Sequence, residues 1–279
     1  MSLAYWGSKR RFANEIADVL CGHAGAPMYY EPFCGMASVG LELVRRGCFT
    51  RMLWSDSSED VVVYWQALQR GWLPQTHPLT QTQWDGLKRT RSASPRRSFY
   101  GFHMGYGGQL LLGRSPTADM NRSAPLQRVR ERLKEAAALL RTSRVALTVE
   151  RLPCEALRPH KHSVIYCDPP YAVRGGGGTT SDPKHSSAGA MGKIWECIER
   201  WVLRHACVVY LSAAREAPEP PASLRLVRVK EWTILNRMQT SKLGAAQYRK
   251  ELLFRVEAAP RRHASPRRHA SPRRAAAPR

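Results

Sequence analysis

The chain has 279 residues, 43% of them hydrophobic, which suits one α/β catalytic domain with an insertion, or two small domains. Its formal net charge of +22 far exceeds the roughly 2–8 of a typical small domain, and this excess indicates a polyanionic partner. The sequence contains no apolar run of the ~18 residues that span a bilayer, no signal peptide and no basic amphipathic helix with an aromatic face. We therefore expect an intracellular protein without membrane contact.

Strand and helix patterns alternate along most of the chain. In chain order, the sequence predicts a helix starting near residue 11, a strand at 27–30, helix at 38–46, strand at 51–55, helix at 59–70, strand at 163–167, helix at 193–204 and strand at 206–212. Such alternation indicates an α/β fold with a parallel, doubly wound sheet, whose ligands bind at the carboxyl ends of the strands. The predicted catalytic domain comprises residues 1–72 and 150–257.

Residues 73–149 differ in character and are predicted to form an inserted, mostly helical subdomain that binds nucleic acid. Apolar residues from 126 to 140 recur at helical spacing, after a serine and a proline that favour a helix start. The segment 99–108 mixes aromatics with glycines, beside Arg96, Arg97 and Arg114. Aromatics among arginines suit base stacking and phosphate contacts, so we favour a flexible DNA-facing loop over aromatics that pack the core of the subdomain.

The seven cysteines form no CxxC pair, and each lies in an apolar or strand-like context. Their odd number and their surroundings favour reduced core thiols, in a reducing compartment with access to DNA, over disulfides. The nine histidines show no ligand spacing with them, so no metal site is expected.

Residues 258–279 form a basic tail that contains Pro-Arg-Arg-His-Ala-Ser twice and seven arginines without an acidic residue. A segment without large apolar side chains cannot offset its ordering entropy, so the tail is expected to be disordered. A nonspecific nucleic-acid clamp or a nuclear address suits its arginines better than a role in solubility alone.

The sharpest motif is Asp-Pro-Pro-Tyr at 168–171, directly after a buried strand. Two prolines cannot continue a hydrogen-bonded ladder, so the chain must leave the sheet there. The same prolines fix the backbone so that the Asp168 side chain and a carbonyl can face one pocket. An ordinary turn is the alternative interpretation.

Three weaker motifs precede it. The run Glu-Pro-Phe-Cys-Gly at 31–35 joins a strand to a helix through a glycine turn, which can bring backbone N–H groups close to a small ligand. Asp56 ends the next strand, 21 residues after Gly35, where an acid binds ribose hydroxyls in dinucleotide folds; it could equally cap the next helix. The start Tyr-Trp-Gly-Ser-Lys at 5–9 could simply anchor the N-terminus.

In this order, the motifs resemble the Dam-type site-specific DNA adenine-N6 methyltransferases and their phage relatives, over about residues 3–254. The resemblance implies a Rossmann-like doubly wound methyltransferase sheet and S-adenosyl-L-methionine as cofactor, with double-stranded DNA as partner. It leaves the oligomeric state and any cognate restriction nuclease open. The residues that it assigns to the cofactor are Tyr5, Lys9, Phe33, Gly35, Asp56 and Asp168. Two departures are Ala37, where a second glycine is common, and the glycine-rich run from 174.

The resemblance also implies a mechanism. Adenine N6 is a poor nucleophile, and the enzyme must flip the base out of the duplex. The base would stack on Tyr171, while Asp168 and the Pro169 carbonyl accept the two N6–H bonds and stabilise the developing positive charge. Methylation of cytosine N4 or of an RNA adenine is the nearest alternative. A catalytically silent DNA-binding protein is an alternative of another class.

The segment 106–111 resembles the loop that reads GATC in this family. The family has an arginine that reads guanine where this chain has Leu111, and a leucine where it has Gln109. Leucine cannot make paired hydrogen bonds to guanine O6 and N7, and Arg114 replaces the arginine only if the loop is spaced differently. We therefore expect a target other than strict GATC, with Tyr106 able to stack near the flipped base.

Overall fold

The computed structural model describes residues 8–112, 124–170, 188–214, 218–235 and 248–260. Its helices are α1 (Ala13–Cys21), α2 (Ser38–Arg46), α3 (Glu59–Gln69), α4 (Gln81–Arg89), α5 (Pro95–Met104), α6 (Ala124–Thr142) and α7 (Ala188–Leu203). Its strands are β1 (Tyr29–Glu31), β2 (Arg51–Asp56), β3 (Ala146–Arg151), β4 (Val164–Cys167), β5 (Val208–Ala214), β6 (Leu224–Leu235) and β7 (Tyr248–Ala258). None of the helices in these ranges is long and apolar enough to cross a membrane.

The strands form one seven-stranded sheet in the order β3-β2-β1-β4-β5-β7-β6. The first five are parallel and follow the doubly wound order, in which the chain reverses its direction of travel between β1 and β4. The last two form a hairpin, and β7 pairs antiparallel with β5. The predicted Rossmann-like sheet is confirmed, and the terminal hairpin is a feature that the sequence did not predict.

Strand β4 is buried on both faces, because all four of its side chains are apolar or uncharged and helices cover the sheet. It lies in the middle of the sheet, between β1 and β5. The residue that follows it, Asp168, therefore emerges at the centre of the carboxyl edge, beside the ends of β1 and β5.

Helices α4 and α5 follow α3, and α6 leads the chain back to β3. Strand β3 begins at Ala146 and pairs with β2, so the sheet resumes four residues before the predicted boundary at residue 150. Buried Phe99 and Leu133 belong to the same apolar cluster as Trp65 of α3. The helices between α3 and β3 thus pack on the sheet domain through one continuous core.

The interpretation of segment 99–108 as a flexible DNA-facing loop is wrong for its first part. Residues up to Met104 are helical, and Phe99, Tyr100 and Phe102 are buried. The glycines serve close packing: a Cβ on Gly101 would lie 2.5 Å from Leu110 Cδ1, and one on Gly105 would lie 2.0 Å from the Gln109 carbonyl oxygen.

The expectation of seven reduced thiols is also wrong. Cys21, at the end of α1, and Cys48, just after α2, form a disulfide with their Cα atoms 5.3 Å apart. Helices α1 and α2 pack against each other, and this packing brings together two cysteines that are 27 residues apart in the sequence. The remaining five cysteines are free and buried, as expected.

Candidate active site

The turn after β1 is the first component of the site. Gly35 and Ala37 both adopt positive φ, +44° and +40°, so the chain reverses tightly before α2 begins at Ser38. The Trp65 indole N–H donates to the Gly35 carbonyl at 2.7 Å, and this bond ties the turn to α3. Glycine suits the left-handed conformation because it carries no Cβ, whereas Ala37 adopts it at some cost in strain.

Asp56 joins this turn to the end of β2. Its Oδ2 accepts the Gly35 backbone N–H at 3.1 Å, and its Oδ1 accepts the Ser58 N–H at 2.9 Å. The two interpretations of Asp56 are therefore compatible, because one oxygen serves the start of α3 and the other faces the glycine turn. A carboxylate has about four acceptor positions in all, so an acid at this strand end is chemically suited to a ligand hydroxyl.

Lys9 and Asp168 form the second component. The Lys9 ammonium donates to Asp168 Oδ1 at 2.6 Å, although 159 residues separate the two in the sequence. The Lys9 carbonyl accepts the Phe12 N–H at 2.9 Å, and this turn fixes the lysine just ahead of α1. Lys9 is buried and Asp168 is 19% exposed, so the pair lies at the mouth of the site rather than on the open surface.

The acid at the start of the glycine turn, Glu31, lies fully buried close by. It accepts the Tyr29 hydroxyl at 2.9 Å. Burial raises the pKa of Glu31 to about 8, and the neighbouring charge of Asp168 acts in the same direction. Glu31 is therefore mostly protonated near neutral pH.

A cofactor with hydroxyl and ammonium donors fits these groups. Carboxylate oxygens of Asp56 and Asp168 lie at the ends of β2 and β4, on either side of β1 and its glycine turn. Phe33 is half-buried and packs on the apolar cluster that includes Tyr30 and Ile194. S-adenosylmethionine carries ribose hydroxyls, an α-ammonium and an apolar thioether chain, so this combination of acceptors and apolar surface suits it.

Other predicted catalytic and cofactor residues are placed only in part. Pro169 is buried immediately after Asp168. Tyr5 and Tyr171 lie outside the described residues.

The predicted DNA-binding residues lie in several environments. Tyr106 is 49% exposed, in a short 3-10 turn after α5. Arg96 is exposed and lies 5.6 Å from the centre of the Tyr100 ring. Gln109 is half-buried. Arg114 lies outside the described residues.

Arg97 is occupied within the protein. Its guanidinium forms an ion pair with Asp60 of α3 and donates to the Leu87 carbonyl. Asp60 is buried and also accepts the Ser98 hydroxyl at 3.1 Å, so this network joins α3 to α5. The burial of Asp60 could not be predicted from the sequence, because an acid in the first turn of a helix is ordinarily a surface residue.

Comparisons with known proteins were made for sequence and for structure. Residues 5–103 match the family of D12 class N6 adenine-specific DNA methyltransferases. No curated protein sequence matches the chain. The structure is similar to the rRNA methyltransferase aviRa from Streptomyces viridochromogenes, with 14% identity and a TM-score of 0.40, covering 89% of this chain and 85% of that one.

Two further solved structures are similar at the same level. The putative methyltransferase yhhF from Escherichia coli has 12% identity and a TM-score of 0.39, covering 89% of this chain and 87% of that one. The glycopeptide N-methyltransferase MtfA, complexed with sinefungin, has 8% identity and a TM-score of 0.34, with coverages of 89% and 87%. At these values the three likenesses add nothing on substrate or cofactor.

The doubly wound sheet has a Rossmann-like topology, with the glycine turn and the acids at the ends of β2 and β4 gathered at its carboxyl edge. The match over residues 5–103 takes in the glycine turn and Asp56, and over these 99 of the 279 residues the chain is similar to the D12 class N6 adenine-specific DNA methyltransferases. The match agrees with the predicted family and enzyme class over those residues.

Proposed function

We propose that the protein transfers a methyl group from S-adenosylmethionine to N6 of a flipped adenine in double-stranded DNA. The observation that carries the proposal is the position of Asp168, a partly exposed carboxylate at the centre of the carboxyl edge, held by buried Lys9. The match to the D12 class supports adenine as the target base. The +22 charge of the chain supports a polyanionic substrate.

Asp168 and the Pro169 carbonyl would act on the target amino group. Two acceptors in fixed positions take up the two N6–H bonds, and this geometry turns the nitrogen lone pair away from the ring. The bonds strengthen as positive charge develops on N6, so they stabilise the transition state more than the bound substrate. S-adenosylmethionine, when bound, supplies the electrophilic methyl carbon.

Lys9 would hold Asp168 for this task rather than bind the cofactor alone. Its bond to Oδ1 fixes the orientation of the carboxylate at the mouth of the site. Asp56 and the Gly35 turn would hold the ribose end of the cofactor. Tyr106 and Arg96, exposed on the helical subdomain, would contact the DNA.

Substitution of Asp168 and Asp56 tests this division of roles. Asp168→Ala should abolish methyl transfer to duplex DNA and leave S-adenosylmethionine binding within a few-fold of wild type. Asp56→Ala should instead weaken cofactor binding by roughly 10- to 100-fold, since it removes hydrogen bonds to a charged acceptor, with a smaller loss of kcat. A tritiated-methyl assay and calorimetry measure the two effects, and near-normal transfer by Asp168→Ala would refute the mechanism.

A further inference from the structure

Asp168 shares its lysine with a second carboxylate. The Lys9 ammonium lies 2.6 Å from Asp168 Oδ1 and 3.8 Å from Glu251 Oε2. The Lys9 and Glu251 side chains are 6% and 7% exposed. A buried ammonium and a buried carboxylate are each costly to desolvate, so such groups are retained where they lie against opposite charge.

Glu251 reaches the site because β7 runs against the other strands. It stands opposite Ala214, the last residue of β5, in the antiparallel pairing of β5 with β7. Residues near the start of β7 therefore lie at the same edge as residues at the ends of β4 and β5. Glu251 thus reaches Lys9 at the edge where Asp168 emerges.

We propose that Glu251 is a positioning residue for methyl transfer, which acts through Lys9 to set the charge and orientation of Asp168. This inference rests on the proposed function. A single carboxylate beside Lys9 would take the whole of the ammonium's attraction, and its oxygens would then be poorer acceptors for N6–H. With two carboxylates beside one ammonium, the attraction of Lys9 is divided between them, and the oxygens of Asp168 remain strong acceptors for the substrate.

Neighbouring groups do not supply this second charge. Glu31, another acid of the edge, is mostly protonated near neutral pH because its pKa is raised to about 8. The other carboxylate of the edge, Asp56, is bound to the Gly35 turn and to Ser58. Glu251 is thus the described acid that makes the second ion pair with Lys9.

The test substitution is Glu251→Gln, which keeps the size of the side chain and removes its charge. We expect kcat to fall about tenfold while KM for S-adenosylmethionine and for DNA stays within about twofold, because a positioning residue acts on the chemical step through Asp168 and not on substrate binding. Glu257→Gln is the matched control: it lies on the same strand and breaks the surface pair with Arg225, and it should leave both constants unchanged. An unchanged kcat for Glu251→Gln overturns the inference.

A double-mutant cycle separates positioning from a structural role. If Glu251 acts through Lys9, adding Glu251→Gln to Lys9→Met should reduce single-turnover transfer no further, whereas independent losses would multiply and contradict the inference. If Glu251→Gln does not fold, Glu251→Asp is the test variant. It keeps the negative charge but places the carboxylate farther from the Lys9 ammonium, so kcat should fall a few-fold at unchanged KM. A kcat equal to that of the wild type in the Glu251→Asp variant would contradict the inference.

The same assays distinguish failure of the proposed function from failure of this inference. A wild-type protein that forms no N6-methyladenine overturns both. A wild-type protein that methylates adenine, with Glu251→Gln as active as wild type, overturns the positioning role alone.

Discussion

Glu31 is a carboxyl group whose burial couples the stability of the fold to pH. Its pKa is raised from 4.5 to about 8, chiefly by desolvation. Because the folded protein binds this proton more tightly than the unfolded chain does, the stabilisation is complete below pH 4.5 and is lost as pH rises towards 8. Burial acts oppositely on His103, lowering its pKa from 6.5 to about 3, so its contribution is complete above pH 6.5 and falls at lower pH.

Between pH 6.5 and 8, therefore, the contribution of Glu31 to the free energy of unfolding falls while that of His103 is nearly constant. We predict that the free energy of unfolding of the wild type falls by as much as about 2 kcal/mol over this range, and that Glu31→Gln removes most of the fall. The glutamine oxygen can still accept the Tyr29 hydroxyl. Urea unfolding at the two pH values measures this, with exposed Glu135→Gln as control; an equal fall in both variants contradicts the assignment.

At this scale, the sequence predicted the residues that end parallel strands. Asp56 and Asp168 each follow an apolar run, and a motif marks each of them. Glu251 was not predicted as a site residue because it lies near the start of a strand. An acid at that position reaches the carboxyl edge only when its strand is antiparallel to the others, as β7 is. The burial of Asp60 was not predicted because it results from the packing of α3 on α5.

Among the elements, the turn after α5 depends most closely on its glycines. Gly105 has an ordinary φ of −68°, but a Cβ there would lie 2.0 Å from the Gln109 carbonyl oxygen and 2.3 Å from the Gly101 carbonyl oxygen. Neither is the flexible end of a side chain, so the backbone would have to move.

We predict that Gly105→Ala destabilises the protein by about 1–3 kcal/mol, the range for overpacked sites, and weakens DNA binding by displacing Tyr106. Gly86→Ala is the control: it lies in α4, where an added Cβ meets nothing within 4 Å, and should stabilise by about 0.5–1 kcal/mol. Denaturant unfolding compares the two. Equal effects at both positions would show that the turn tolerates a side chain.

The same turn bears on the choice of target sequence. Leu111 is buried, with a φ of +54°, and its N–H donates to the Gly101 carbonyl at 3.2 Å, so its side chain packs the core. We predict that methylation is not restricted to GATC, since leucine offers no paired hydrogen bonds for guanine. Single-molecule sequencing of methylated DNA maps the sites. Strict methylation of GATC alone would show that another residue reads the guanine.

Most elements of the sheet could be predicted from apolar periodicity. The predicted helix at 38–46 coincides with α2, and the predicted strand at 51–55 is one residue shorter than β2. The prediction of a flexible loop at 99–108 was wrong for its first part because glycines beside aromatics are typical of mobile segments. In this fold the same glycines permit close packing of helices. The Cys21–Cys48 disulfide depends on how α1 meets α2, and no local pattern carries that information.

On the scale of the whole molecule, the charge is unevenly distributed along the chain. The segment 258–279 holds seven arginines and no acid. We predict that deleting 261–279 weakens DNA binding and flattens its salt dependence, with the slope of log K against log salt falling by up to about six. A tail with each arginine replaced by lysine should keep the slope. Unchanged affinity and slope after deletion would refute the clamp.

Nucleoside mass spectrometry of DNA from cells that express the protein tests the proposed methylation of adenine N6 most directly. We predict N6-methyldeoxyadenosine above background with the wild type and none with Asp168→Ala at equal expression. N4-methyldeoxycytidine in its place, methylated adenine in RNA alone, or N6-methyldeoxyadenosine with the Asp168→Ala variant would contradict it.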